Sequence, residues 1–486
     1  MNKTIRRTSV FALLLVVAVM VRATWLQAVD GQALADDQYN RRNLVAQYAN
    51  PFGNIIVAGQ PVTGSAATTG SDFKYTRTYT DGPLYAAVTG FSSQVYGTTQ
   101  LEGIYQKVLN GTDAQTRSLL DVLEGSHGKP GDVITTIDPA VQKAAYSGLG
   151  TKNGAAVAID PKTGNILAMV STPSYDPSRI AGSSSADAQA WQQLSNDKNQ
   201  PMVNRALRQT YPPGSTFKLV VAAAALQDGL YSSVDQPTSS PNPYTLPGTT
   251  VRLTNENAAA PCANATIRTA LEYSCNTVFA KMAVDLGQAK VKAMADTFGF
   301  DSSHLDIPVR AAQSVYPTNM PASSTAQTGI GQFDVRATPL QMAMVVSAIA
   351  NGGTLMAPHM VSKVTDGSGD TIQSLNPQQQ SQPISANTAQ QLRSAMVSVI
   401  NQGTGTNAQI PGVEVGGKTG TAQHGVDNSG NPYAWFVSYA KNGAGKEVAV
   451  AVMVDDPNAV RSEISGNGLA GPIAKSMMQA ALNSSS

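Results

Sequence analysis

The chain has 486 residues, 42% hydrophobic and 13% charged, and its 33 Lys and Arg nearly cancel its 32 Asp and Glu, leaving a formal charge of +1. That length is more than one compact core usually organises, so two folded units plus an anchor are expected. The balance lacks the basic excess of a nucleic-acid binder and the like-charge blocks of a disordered tail. Four scattered histidines (His127, His304, His359, His424) and no CxxC pair give little support to a metal site, and no cofactor is expected.

Lys3, Arg6 and Arg7 precede an apolar run at 10–21, Arg22 interrupts it, and apolar residues resume at 23–29. The first run is too short for a bilayer, which takes roughly 20 residues. With Arg22 snorkelling to the interface beside Trp25, the stretch 9–29 is long enough. The basic flank favours a cytoplasmic N-terminus, so residues 1–30 read as an uncleaved single-pass anchor with the rest of the chain extracytoplasmic. The rival is a cleaved signal peptide, because Ala33-Leu34-Ala35 resembles a cleavage site, although it lies well past the apolar run.

Residues 31–130 read as a smaller N-terminal domain, a stalk or docking module with no catalytic pattern. The sequence predicts the start of a helix within 36–48, a short strand at 53–59, a Ser/Thr/Gly-rich loop at 64–80, and helices at 97–109 and 114–124. The third unit, 131–486, opens with a β-branched strand at 133–137 and a helix at 139–149. A hairpin follows, 155–159 with 165–171, around the turn Asp160-Pro161-Lys162-Thr163-Gly164. An Ala-rich apolar helix is predicted at 219–226, strands at 435–439 and 448–454 around a turn at 441–446, and a last helix at 473–482. Strands at both ends with helices between them predict an α+β sheet whose first and last segments pair.

Ser-x-x-Lys occurs at Ser71/Lys74, Ser126/Lys129, Ser195/Lys198, Ser215/Lys218 and Ser438/Lys441. Only at Ser215 does a Pro212-Pro213-Gly214 stop precede the serine and an apolar helix follow it. There the serine and lysine share one helix face, a turn apart, with the serine at the positive end of the helix dipole. A buried lysine loses pKa, so Lys218 can be neutral and take the proton of a Ser215 nucleophile. Lys-Thr-Gly also occurs twice. Turn chemistry explains Lys162–Gly164, whereas Lys418-Thr419-Gly420-Thr421 follows Gly416-Gly417 and precedes the two C-terminal strands. On an edge strand beside the active helix, Lys418 would supply charge for a substrate carboxylate, and the glycines would let substrate backbone approach. A third pattern, Ser274-Cys275-Asn276, lies between these two at the start of an apolar helical stretch. Ser240/Asn242, Ser374/Asn376 and Ser429/Asn431 match the same bare pattern.

The ordered trio resembles the penicillin-recognising serine acyl enzymes, with Ser-Cys-Asn in place of the Ser-Asp-Asn of class A β-lactamases. Stretches 131–138, 154–177, 212–218, 416–421 and Gly329-Ile330-Gly331-Gln332 resemble class B penicillin-binding proteins, and the Ala/Thr-rich composition with a short N-terminal region is most similar to their actinobacterial PbpA type. The resemblance implies a penicillin-binding transpeptidase fold, a five-stranded sheet flanked by helices, and a peptidoglycan D,D-transpeptidase that cross-links stem peptides and is acylated by β-lactams. It makes Ser215 the nucleophile, Lys218 its base, Ser274 a proton relay to the leaving amine and Asn276 a holder of the donor amide. Lys418 and Thr419 would bind the terminal carboxylate within the Lys418–Gly420 motif, and the backbone N–H groups of Ser215 and Thr421 would form the oxyanion hole. Division or elongation machinery would be the partner. A D,D-carboxypeptidase, or a β-lactam sensor or division scaffold, shares these features. A β-lactamase is usually one soluble domain, well short of this chain. Cys262 and Cys275 are the only cysteines: two buried thiols are one reading, and an extracytoplasmic location favours a disulfide that would tie a loop to the active-site rim.

Overall fold

A computed structural model of the chain describes residues 3–29, 41–69, 71–116, 128–425 and 428–484. Helix α1 (Lys3–Ala28) covers the predicted anchor, buries none of its residues, and is the one helix among the described residues long and apolar enough to cross a membrane. The rival cleavage site at 33–35 lies outside the described residues. Of the helix predicted within 36–48, the turn-and-a-half Arg41–Gln47 is present, and 36–40 are likewise outside.

The N-terminal unit carries β1 (Ile55–Val57), β2 (Gln60–Pro61), β3 (Thr63–Ala67) and β4 (Tyr75–Tyr79), and β5 (Val133–Thr135), the strand predicted at 133–137, opens the unit that follows. The loop expected at 64–80 is instead an antiparallel hairpin, β3 with β4, in register from Thr63 opposite Tyr79 to Ala67 opposite Tyr75. Its Thr and Tyr residues suit a pleated surface. The apolar alternation that would have betrayed it is absent because the inward position of β4 is Arg77. That guanidinium is fully buried against Glu102 (Nε–Oε1 2.7 Å) and donates to the Gly53 carbonyl at 2.7 Å and the Thr63 hydroxyl at 2.8 Å. The helix predicted at 97–109 is two short ones, Gln100–Ile104 and Gln106–Leu109, meeting at Tyr105. Of 114–124, the described residues hold only the 3-10 turn Ala114–Thr116.

Helix α2 (Pro139–Leu149) begins where expected because Asp138 accepts from the Ala140 and Val141 amides and Pro139 needs no amide partner there; Gly150, at φ 57, closes it. There follow β6 (Asn153–Ile159), β7 (Ile166–Thr172), α3 (Lys218–Gln227), α4 (Asn276–Leu286), α5 (Pro339–Ala350), β8 (Val361–Thr365), β9 (Thr371–Ser374), α6 (Ala386–Asn401), β10 (Glu414–Ala422), β11 (Tyr433–Lys441), β12 (Glu447–Asp455) and α7 (Gly471–Asn483). The principal sheet is antiparallel and five-stranded, ordered β10-β11-β12-β6-β7, so the early hairpin and the C-terminal strands pair through β6 and β12 as predicted. A second five-stranded sheet, ordered β9-β8-β5-β1-β2, draws strands from both sides of residue 131.

Strand periodicity divides the core into two layers. Trp435, Val437 and Tyr439 of β11 and Ala449, Ala451 and Met453 of β12 face the layer that holds α3, α5 and α6. Phe436, Val450 and Val452 face the layer of α2 and α7. Every residue of α5 is buried, as befits a helix that is apolar all round. The sheet thus ends in an edge strand, β10, whose largely buried residues pack along the turn that opens α3.

Candidate active site

Ser215 lies in a 3-10 turn, Gly214–Phe217, that passes directly into α3 at Lys218. The sequence predicted an α-helical start; in the tighter turn, residues three apart eclipse, which puts Ser215 and Lys218 on one side of the backbone. The turn is clamped from three sides. Trp435 Nε1 donates to the Pro212 carbonyl at 3.1 Å, Thr216 Oγ1 to the Pro213 carbonyl at 2.7 Å, and the Gly214 amide to the Gly331 carbonyl at 3.0 Å. Gly331 sits at φ +69 against this turn, where a Cβ would lie 2.0 Å from the Gly214 carbonyl oxygen. The Gly329–Gln332 stretch is therefore the backstop of the Ser215 turn.

Ser274, Asn276 and Lys418 converge on Lys218. The fully buried Lys218 Nζ donates to the Ser274 carbonyl at 2.7 Å and to Asn276 Oδ1 at 2.7 Å, with the Ser274 hydroxyl at 3.2 Å. Lys418, on the edge strand and also fully buried, donates to that same hydroxyl at 3.0 Å and to the Thr419 carbonyl at 3.1 Å. Ser274 holds φ 57, a left-handed conformation uncommon outside glycine and frequent at functional sites. Its neighbour Cys275 caps α4 and is disulfide-bonded to Cys262. Thr419 Oγ1 lies 2.9 Å from Thr404 Oγ1.

Burial, and then the charge of Lys418, hold the Lys218 pKa well below that of an ordinary lysine, with Glu256 opposing. Burial pulls Lys418 down to about 7, again with Glu256 opposing. Two ammonium groups sharing one hydroxyl repel, and the stronger depression falls on Lys218. A neutral Lys218 has two N–H bonds, which the Ser274 carbonyl and Asn276 Oδ1 occupy. Its lone pair is left for a hydroxyl proton. Two cavities meet at Ser215. One, of about 700 Å³, is walled by Leu246, Gln332, Arg336, His424 and Tyr433; the other, of about 280 Å³, by Ser274, Thr404, Thr419 and Asn467. Thr421 and Glu256 border both.

A family described as the penicillin binding protein transpeptidase domain matches residues 154–479, two thirds of the chain, and one described as the penicillin binding protein A dimerisation domain matches 53–133. The chain belongs to the penicillin-binding protein transpeptidase family. Among this family, the peptidoglycan D,D-transpeptidase PbpA of Mycolicibacterium smegmatis is 39% identical over 498 residues, covering 100% of both chains. The protein of the same name from Mycobacterium tuberculosis is 38% identical over 494 residues, 99% of each. The ceftriaxone acyl-enzyme complex of M. tuberculosis penicillin-binding protein A matches the fold at a TM-score of 0.82 with 37% identity, covering 90% of this chain and 100% of that one. Its penicillin G acyl-enzyme matches equally, at 0.82 and 38%.

The competing patterns lie elsewhere in this penicillin-binding fold. Lys162 Nζ donates to the Gly445 carbonyl at 3.0 Å, Ser438 is buried inside β11, and Ser240 is buried against Thr238. Ser126 lies outside the described residues. Sequence reasoning missed Thr404, the cavity wall at Arg336, His424 and Tyr433, and Glu256. Each is a single common residue in a loop or at a strand end, and no local pattern marks it.

Proposed function

We propose that the protein is a peptidoglycan D,D-transpeptidase that works through a Ser215 acyl-enzyme and is inhibited by β-lactams. The observation that carries this reading is the convergence of Lys218 and Lys418 on one hydroxyl, Ser274, beside a buried serine at the head of a helix. Neutral Lys218 takes the Ser215 proton as the hydroxyl attacks the carbonyl of the penultimate D-Ala. Ser274, fed by both lysines, passes a proton to the leaving amine of the terminal D-Ala. Asn276, whose Oδ1 is committed to Lys218, offers its amide N–H to the donor peptide. Charged Lys418, with Thr419 and the backbone of Gly420, binds the terminal carboxylate. The amides of Ser215 and Thr421 receive the oxyanion, a contribution of about 3 kcal/mol per donor in related chemistry. An amine from a neighbouring stem then resolves the ester into a cross-link.

Helix α1 would span the cell membrane once, with residues 31–130 as a docking or spacing domain and 131–486 as the transpeptidase unit outside, where division or elongation machinery recruits it. Support for this comes from the basic flank, the length of α1 and the dimerisation-domain match at 53–133. The test is labelling of the full chain in detergent micelles with a fluorescent penicillin. Stoichiometric, slowly released label is expected on wild type and none on Ser215→Ala. A folded wild-type chain that takes no label sinks the reading, and rapid release would mark a β-lactamase. A D-alanyl thioester with and without D-amino acids separates transfer from simple hydrolysis, the carboxypeptidase outcome.

A further inference from the structure

In acyl transfer the departing amine leaves on the Ser274 side of the acyl carbon, because Ser274 is the group placed to protonate it. By microscopic reversibility the acceptor amine arrives by the same path. The smaller cavity, of about 280 Å³, lies on that side. Among the described residues, Glu256 is the sole carboxylate lining either cavity at Ser215. It is exposed, and among the described residues no cation stands within ion-pair distance of it.

The loop that carries Glu256 is held over the Ser274–Asn276 turn from both ends. Asn255 Oδ1 accepts from the Thr277 amide at 3.1 Å, and Asn255 Nδ2 donates to Thr277 Oγ1 at 3.2 Å. Beyond it, Cys262 is bonded to Cys275. The Glu256 charge reaches the reacting groups, since it supports the protonated form of both Lys218 and Lys418. A carboxylate that lines the acceptor cavity, without an ion-pair partner among the described residues and carried on a loop tied to the Ser274–Asn276 turn, is what a primary ammonium needs to be captured beside an ester.

We propose that Glu256 binds the acceptor as its ammonium ion and sets the enzyme's preference for cationic acceptor amines; this rests on the transpeptidase reading above. The ammonium enters with three N–H bonds. One proton goes to solvent from the Glu256 side, freeing the lone pair that forms the C–N bond. A second passes through Ser274 and Lys218 to Ser215 Oγ as the ester C–O bond breaks, and the third stays on the new amide. Glu256 is thus a binding residue for the amine that enters in the second half-reaction and, by the same path reversed, for the amine released in the first.

The experiment uses full-length protein in detergent, a D-alanyl thioester donor and two acceptors: D-alaninamide, largely an ammonium ion at neutral pH, and hydroxylamine, which is neutral there. Both amines draw on one acyl-enzyme, so the ratio of their aminolysis products cancels any change in acylation, in lysine protonation or in the amount of folded enzyme. In Glu256→Gln the D-alaninamide-to-hydroxylamine ratio is expected to fall about three- to tenfold, as loss of a charged hydrogen bond implies, through a raised KM for D-alaninamide. Glu256→Asp should recover part of it. An unchanged ratio in Glu256→Gln overturns the inference while leaving the transpeptidase reading intact. Wild type that is acylated but yields no amide with either amine overturns that reading, and the inference with it.

Discussion

Lys418 donates a 3.0 Å hydrogen bond to the Ser274 hydroxyl. The same oxygen stands 3.2 Å from Lys218, so one serine joins two buried lysines whose pKa values are both depressed. The tasks proposed for them require opposite states: Lys218 neutral to accept a proton, and Lys418 charged to hold a carboxylate. The rate of acylation by an anionic β-lactam at low concentration reports the free enzyme. It should rise on the acid side as Lys218 loses its proton and fall above about pH 7 as Lys418 loses its own. At saturating β-lactam the bound carboxylate favours charged Lys418, which moves the falling limb to higher pH. A rate that climbs steadily through the alkaline range would remove the Lys418 charge from carboxylate binding.

Lys418 also makes a stability prediction of definite sign. Its folded-state pKa is about 7 against 10.5 for an ordinary lysine. Between those values the unfolded chain binds more protons than the folded one, so stability increases with pH across that window, and the cost of burial is at full size below about 7. Lys418→Met should therefore abolish carboxylate-dependent acylation yet stabilise the fold at pH 6 by an amount on the order of a few kcal/mol, seen as a higher melting temperature. Equal or lower stability of Lys418→Met at pH 6 would refute the assignment of a burial penalty to this lysine.

Much of the catalytic unit was legible because its signals are local. Pro212-Pro213-Gly214 before an apolar run marks the turn at Ser215, Asp138-Pro139 marks α2, and Asp160–Gly164 marks a hairpin turn. Turn chemistry at Lys162 and the strands that follow Lys418 selected the second Lys-Thr-Gly, and the edge position of β10 agrees with it. The hairpin at Thr63–Tyr79 was not legible, since its buried position is an arginine whose partner, Glu102, is contributed by a helix beyond the hairpin. Nor was Glu256, because what sets it apart is the cavity it faces.

Gly331→Ala tests the backstop of the Ser215 turn. The residue lies at φ +69, and an added Cβ would fall 2.0 Å from the Gly214 carbonyl oxygen, which belongs to backbone and has little room to yield. The variant should cost more than about 1 kcal/mol of stability, because alanine is strained at positive φ. Acylation should fall more than stability does, since the displaced turn carries Ser215. Penicillin labelling kinetics on protein shown to be folded by circular dichroism would check this, and wild-type labelling rates would refute it.

Arg77 and Glu102 test what holds the N-terminal unit together. The pair is fully buried, and Arg77 also joins Gly53 and Thr63 across three segments of chain. Removing one partner leaves a charge or its unmet hydrogen bonds in the interior, which typically costs 3–5 kcal/mol, about as much as a marginal domain can lose. Arg77→Ala should therefore make the region 53–109 sharply more sensitive to limited proteolysis, while the Ser215 site, built on the other sheet, still takes penicillin. The double variant Arg77→Met with Glu102→Leu removes both charges and keeps the volume, so it should be far more resistant than Arg77→Ala alone. If the two variants were cut equally fast, the loss would stem from the missing arginine contacts and not from a stranded carboxylate.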